Sequence, residues 1–133
     1  MLFLLLAAAV NNGPSDAAQS NWQTVGRGKD GSEFYIDTTT LEKVSNDQVK
    51  IWTRRNNLPN SRYDHKKIRI TFDCKKRESK YEAVLVYKVD GSIAKVNYKA
   101  EKAFLPVIPN SADWQTMISA CGIAQSLAPG NAG

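Results

Sequence analysis

The chain has little of what most catalytic chemistry uses. Its 133 residues include one histidine, His65, and two cysteines, Cys74 and Cys121. A metal site built on two histidines is therefore excluded. No G-x-S-x-G segment is present to set a serine on a strand-to-helix elbow, so a Ser-His-Asp hydrolase would rest on His65 alone. Long apolar runs are missing as well. The longest, Leu2 to Val10, has nine residues, against the about 20 that a helix needs to cross a bilayer. No transmembrane helix is expected, and no internal repeat is visible. The glycines Gly26, Gly28 and Gly31 spell G-x-G-x-x-G, but Ser32 to Asp37 follows, which is β-branched and aromatic. A dinucleotide would need a helix there, to meet its pyrophosphate with free N–H groups. Asp30-Gly31 reads instead as a tight hairpin turn, since glycine takes the positive φ that such turns demand.

Leu2 to Val10 does match the apolar core of a secretory signal, with cleavage after small residues, either within Ala7-Ala8-Ala9 or at Ser15-Asp16-Ala17. It lacks the basic residues that normally precede such a core, which suggests a true start further upstream; the competing reading is a short buried or frayed segment. Residues 1–20 are accordingly assigned to an export segment and spacer, 21–125 to one folded domain, and 126–133 to a frayed tail. At 42% hydrophobic residues the chain can bury one core without a metal or other cofactor. None of the first twenty residues is a cysteine, so no N-terminal lipid is expected.

Tyr63 to Cys74 organises the rest. Ile68, Ile70, Phe72 and Cys74 alternate with Lys67, Arg69, Thr71 and Asp73, and side chains on a strand alternate between faces. One face therefore meets a core and carries Cys74 with it. Near the C-terminus Trp114, Met117, Ile118 and Cys121 follow the i, i+3, i+4, i+7 stripe of an amphipathic helix. Ser111 or Asn110 caps that helix, Asp113 suits its first turn and Gly122 ends it. Both cysteines point inward, and in an oxidising compartment such a pair is bridged. A Cys74–Cys121 disulfide between helix and sheet is expected, which leaves no thiol for zinc.

The other segments are short. Asn21 to Val25 and Ser32 to Asp37 read as strands, and Asp37 to Glu42 as one capped helical turn. Gln48 to Arg54 is a strand with Lys50, Trp52 and Arg54 on one face. Asn56 to Ser61 is loop. Tyr81 to Tyr87 has apolar residues on both faces and so belongs in the middle of a sheet or against a partner subunit. Asp90-Gly91 turns the chain into Ile93 to Tyr98, and Leu105 to Pro109 is an extended approach to the helix. The whole predicts an α+β domain, an antiparallel sheet of about six strands with a C-terminal helix packed on it. Trp22 and Trp114 are assigned to the core, and His65 to the polar, solvated side of its strand.

Charge is uneven. Lys50 to Lys80 holds eleven Lys and Arg against three acids, a local +8 that leaves −3 for the remainder of a chain whose total is +5. If the two strands pair with their apolar faces together, Lys50, Trp52, Arg54, Lys67 and Arg69 share the outer face and form a candidate ligand surface. The competing reading is an ordinary solvated face. An anionic glycan or an acidic protein segment suits such a patch; nucleic acid is set aside as the partner of an exported domain.

Phe34-Tyr35-Ile36-Asp37, Val49-Lys50-Ile51-Trp52, Phe72-Asp73-Cys74, the turn at Asp90-Gly91, and Pro109-Asn110-Ser111 with Cys121 occur in an order and spacing that resembles the bacterial surface-adhesin protein E family, roughly from Trp22 to Cys121. The resemblance implies a six-stranded antiparallel sheet with a flanking helix, a paired-cysteine link, a tendency to form homodimers, and a periplasmic or outer-surface location. It also implies attachment to host extracellular-matrix proteins and no catalytic residues. A non-catalytic envelope binding protein is the expectation. A small periplasmic enzyme using His65 and Asp64, or a structural dimer burying Trp52, Val84 and Val86, are the alternatives.

Overall fold

Alternation of apolar and polar residues dictates the architecture, and strand pairing completes it. The computed structural model describes residues 22–56 and 62–132. The export segment and positions 57–61 of the expected loop lie outside the described residues. Seven strands follow in order: β1 (Trp22–Arg27), β2 (Glu33–Lys43), β3 (Gln48–Asn56), β4 (Tyr63–Asp73), β5 (Glu78–Lys88), β6 (Ile93–Asn97) and the two-residue β7 (Leu105–Pro106). One helix, α1 (Ala112–Ala132), ends the described chain. The first six strands form a sequential antiparallel sheet, and β7 adds to β5 beside its first residues. The expected α+β sheet-and-helix fold is present.

Turn chemistry does what its residues require. Gly31 and Gly91 both have positive φ, 89° and 93°, in turns where the Asp30 and Asp90 carboxylates accept the N–H of Ser32 and Ser92. The segment after Asp37 departs from expectation. It forms no helical turn; the β2–β3 register breaks between Asp37 and Glu42, and the chain bulges while remaining extended. The Asp37 carboxylate accepts the Thr39 N–H at 3.0 Å, the cap geometry of a helix start used here to hold a bulge.

The inner face of the sheet holds Ile36, Val49, Ile51, Ile68, Ile70 and Phe72, and α1 lays Met117, Ala120, Cys121 and Ala124 across it. Those four residues also follow i, i+3, i+4, i+7, one step round from the expected stripe. Ile118 is 54% exposed, and Trp114 packs only at the edge of the core. Ser111 is the cap, its hydroxyl accepting the Trp114 N–H at 3.1 Å. Gly122 does not end the helix, which continues to Ala132 through the stretch read as a frayed tail. Cys74 and Cys121 are bonded, Cα to Cα 5.9 Å, and so tie the helix to the end of β4.

Candidate functional site

Strand register builds the outer face residue by residue. Lys50, Trp52 and Arg54 alternate along β3 and stand opposite Thr71, Arg69 and Lys67 on β4. Residues paired across an antiparallel ladder share a face. The five expected ligand residues are therefore neighbours on one surface.

The neighbouring strands change the character of that surface. From β2 come Tyr35 opposite Arg54, Asp37 opposite Trp52 and Glu42 opposite Lys50. From β1 comes Trp22, opposite Asp37, and from β5 Leu85, opposite Lys67. Trp22 thus lies on the outer face and not in the core to which its apolar character assigned it. Arg69 pairs with Glu42 at 3.2 Å, and the Arg54 Nε donates to Asn56 Oδ1 at 2.7 Å. The surface is aromatic at its centre and mixed in charge at its margin, less uniformly basic than the charge count along the chain implies.

A groove of about 260 Å³ runs between Trp22, Trp52, Leu85 and Tyr87, with Asp37, Thr40 and Lys67 around it. The Lys67 ammonium stands 4.9 Å from the Tyr87 ring centre and 5.9 Å from that of Trp22, within the range of a cation–π contact to each. The β2 bulge supplies one wall, because Thr40 accepts the Trp52 N–H at 3.0 Å and so fixes the two strands where their ladder is broken. The buried Trp22 Nε1 donor has no hydrogen-bond partner among the described residues. Trp22, Tyr87 and Asp37 were not legible as site residues; Tyr87 ends a strand that is apolar on both faces, and the β4–β5 register decides which face it takes.

His65 is placed differently from expectation. It is 7% exposed, not solvated, with its ring stacked on Tyr87 at 4.4 Å between centres and 9° between planes. Its Nδ1 lies 2.7 Å from Asp64 Oδ2, and its buried Nε2 has no partner among the described residues. Burial lowers its pKa below the ordinary value, and Arg54 and Lys67 act the same way, while the Asp64 carboxylate opposes them. Among the described residues no group of three His, Cys, Asp or Glu side chains is placed to hold a metal.

The unfolded chain protonates His65 near its ordinary pKa of about 6.5, and the folded protein protonates it only at lower pH. The contribution is therefore fully present above the unfolded chain's pKa and is lost as pH falls from there through the lower folded-state value. Chemical denaturation should show a stability decline between pH 8 and pH 5.5 that His65→Phe, which keeps the stack without a titrating group, reduces. Equal declines in the two proteins would show that His65 does not drive the effect.

The surface-adhesin protein E family model matches residues 22–122. The chain belongs to that family. The matched span runs from Trp22 on β1 to the residue after Cys121, and so takes in the whole sheet and the bonded part of α1. No curated protein matches the chain. Membership in the surface-adhesin protein E family supports an adhesin-like role at the cell surface and points away from an enzyme. No helix among the described residues is long and apolar enough to cross a membrane.

Proposed function

We propose that this member of the surface-adhesin protein E family is a non-catalytic, exported binding protein that holds its partner on the outer sheet face. The observation that carries the reading is the convergence of Lys50, Trp52, Arg54, Lys67 and Arg69 on that face, where Trp52 and Lys67 line the groove that Trp22 and Tyr87 complete. Aromatic rings supply rigid apolar contact area, and the cations beside them supply attraction for acidic groups. A host extracellular-matrix protein or an anionic glycan has both properties. The acids Asp37 and Glu42 within the same face temper non-selective attraction to polyanions, so charge alone does not define the ligand.

Heparin serves as the test ligand. Lys67→Gln/Arg69→Gln should elute from a heparin column at clearly lower salt than the parent, and Lys99→Gln/Lys102→Gln, altered outside the face, should elute close to it. Exposed charges more than about 8 Å apart are screened at physiological ionic strength, so the parent's retention should fall steeply as salt rises. Equal elution of the two variants would reduce the face to an ordinary solvated surface.

A further inference from the structure

The inner face does not stay apolar to its end. The same alternation that buries Ile51 and Ile68 turns Arg55 and Lys66 inward, and the β3–β4 register sets Ile51 opposite Ile70, Thr53 opposite Ile68 and Arg55 opposite Lys66. Like charges directly opposed across a ladder are unfavourable. Both cations line an open cavity of about 320 Å³ at this end of the core, with Phe34, Ile68, Val107 and Asp113 around it and Tyr35 and Arg54 at its strand edge.

Neutralisation inside that cavity is incomplete. Asp113 is shared, since its Oδ2 accepts the Tyr81 hydroxyl at 2.8 Å. Burial, reinforced by Asp113, pushes the Tyr81 pKa well above its ordinary value, so the hydroxyl stays protonated and keeps donating to that carboxylate. Arg55 reaches Asp30, on the exposed hairpin, through Nη2 at 3.3 Å, while its buried Nε has no hydrogen-bond partner among the described residues. Among the described residues no carboxylate forms an ion pair with Lys66. Burial lowers the Lys66 pKa, and Arg55 lowers it further, against the pull of Asp113. Two inward cations, an unused guanidinium donor and an apolar wall describe a receptor for an anion that has an apolar body.

We propose that this cavity binds a small organic carboxylate, its head between Arg55 and Lys66 and its body against Phe34, Ile68 and Val107. At about 30 Å³ for each water-sized group, the volume accommodates a ligand the size of hexanoate. The site is separate from the outer groove, so the failure of either leaves the other standing.

Isothermal titration of the full chain with sodium hexanoate, hexanamide and inorganic phosphate tests it, with amide NMR shifts to locate the site. Hexanoate should bind saturably and shift Arg55, Lys66 and Asp113. Hexanamide, which lacks the charge, and phosphate, which lacks the apolar body, should bind about tenfold more weakly or less. Lys66→Met should weaken hexanoate by about tenfold or more while leaving the unliganded unfolding temperature unchanged or higher, because it removes one of two opposed like charges. Lys66→Gln provides the same comparison if the methionine variant does not fold. The proposal is overturned by an absence of saturable hexanoate binding, by shifts confined to other residues, by hexanamide or phosphate binding as tightly, or by a Lys66 variant that binds like the parent.

Discussion

Phe72→Ala should cost about 3 to 5 kcal/mol of folding stability, the largest effect expected of any single side chain here. Phe72 is 0% exposed, stands opposite Val49 on β3, and belongs to the cluster that Ile36, Ile51, Ile70 and Met117 fill. Removing the ring forfeits its transfer from water and leaves a void that the rigid sheet cannot close. A domain of this size has about 5 to 15 kcal/mol of stability in total, so the variant loses a large share of it. Urea unfolding measures the difference directly. Val96→Ala is the control, because Val96 on β6 is 50% exposed and its truncation should change stability by about 0.5 kcal/mol or less. A Phe72→Ala loss no larger than that of Val96→Ala would mean that the inner face is not the core of this fold.

Breaking the Cys74–Cys121 bond ranks second. The two residues are 47 apart in sequence, and closing a loop of that length lowers the entropy of the unfolded chain by an amount worth about 4 kcal/mol in the chain-entropy model. The bond also acts where α1 has few large anchors. Of the four apolar helix residues buried in the core, Ala120 and Ala124 are small, so Met117 and the cystine are its main buried anchors, with Trp114 and Ile123 packed at the edge. Cys74→Ala/Cys121→Ala should therefore unfold at markedly lower urea, and adding a reductant to the parent should reproduce most of that change. Its sheet should survive, since β1 to β6 keep their ladder without the helix's cystine. Identical unfolding curves for parent and double variant would remove the disulfide from the account of stability.

Much of the fold was readable where its cause is local, though the Asp37 cap signal gave a helical turn where β2 bulges. Ile68, Ile70 and Phe72 alternate with charged residues, and this period alone places β4 with one face inward. The bond between Cys74 and Cys121 followed from two such periods, a strand's and a helix's. The helix stripe is ambiguous in sequence. Trp114, Met117, Ile118 and Cys121 satisfy the same spacing as Met117, Ala120, Cys121 and Ala124, so periodicity allows both. Two alanines carry little hydrophobic signal, yet the close approach of helix to sheet favours them, and Ile118 is left outside. Gly122 likewise resembles a helix end, but a Cβ there would meet nothing within 4 Å, and the helix passes through it.

The candidate site was readable in part, for a related reason. Lys50, Trp52, Arg54, Lys67 and Arg69 lie together because each strand alternates and the two strands are neighbours in sequence. His65 was misplaced because the ring that buries it, Tyr87, belongs to another strand, and nothing near position 65 announces the stack.

Local chemistry along the chain was thus enough for the strands, for the hairpin turns at Asp30-Gly31 and Asp90-Gly91, and for the inward direction of both cysteines. These depend on φ, on side-chain period and on oxidation, all of which act within a few residues or one element. Cross-strand register made the remaining assignments. It set Asp37 and Glu42 among the cations, drew Trp22 and Tyr87 to Lys67, and opposed Arg55 to Lys66 at the open end of the core. A side chain's charge is written in the sequence, but its electrostatic surroundings are set by residues that only strand pairing brings within reach.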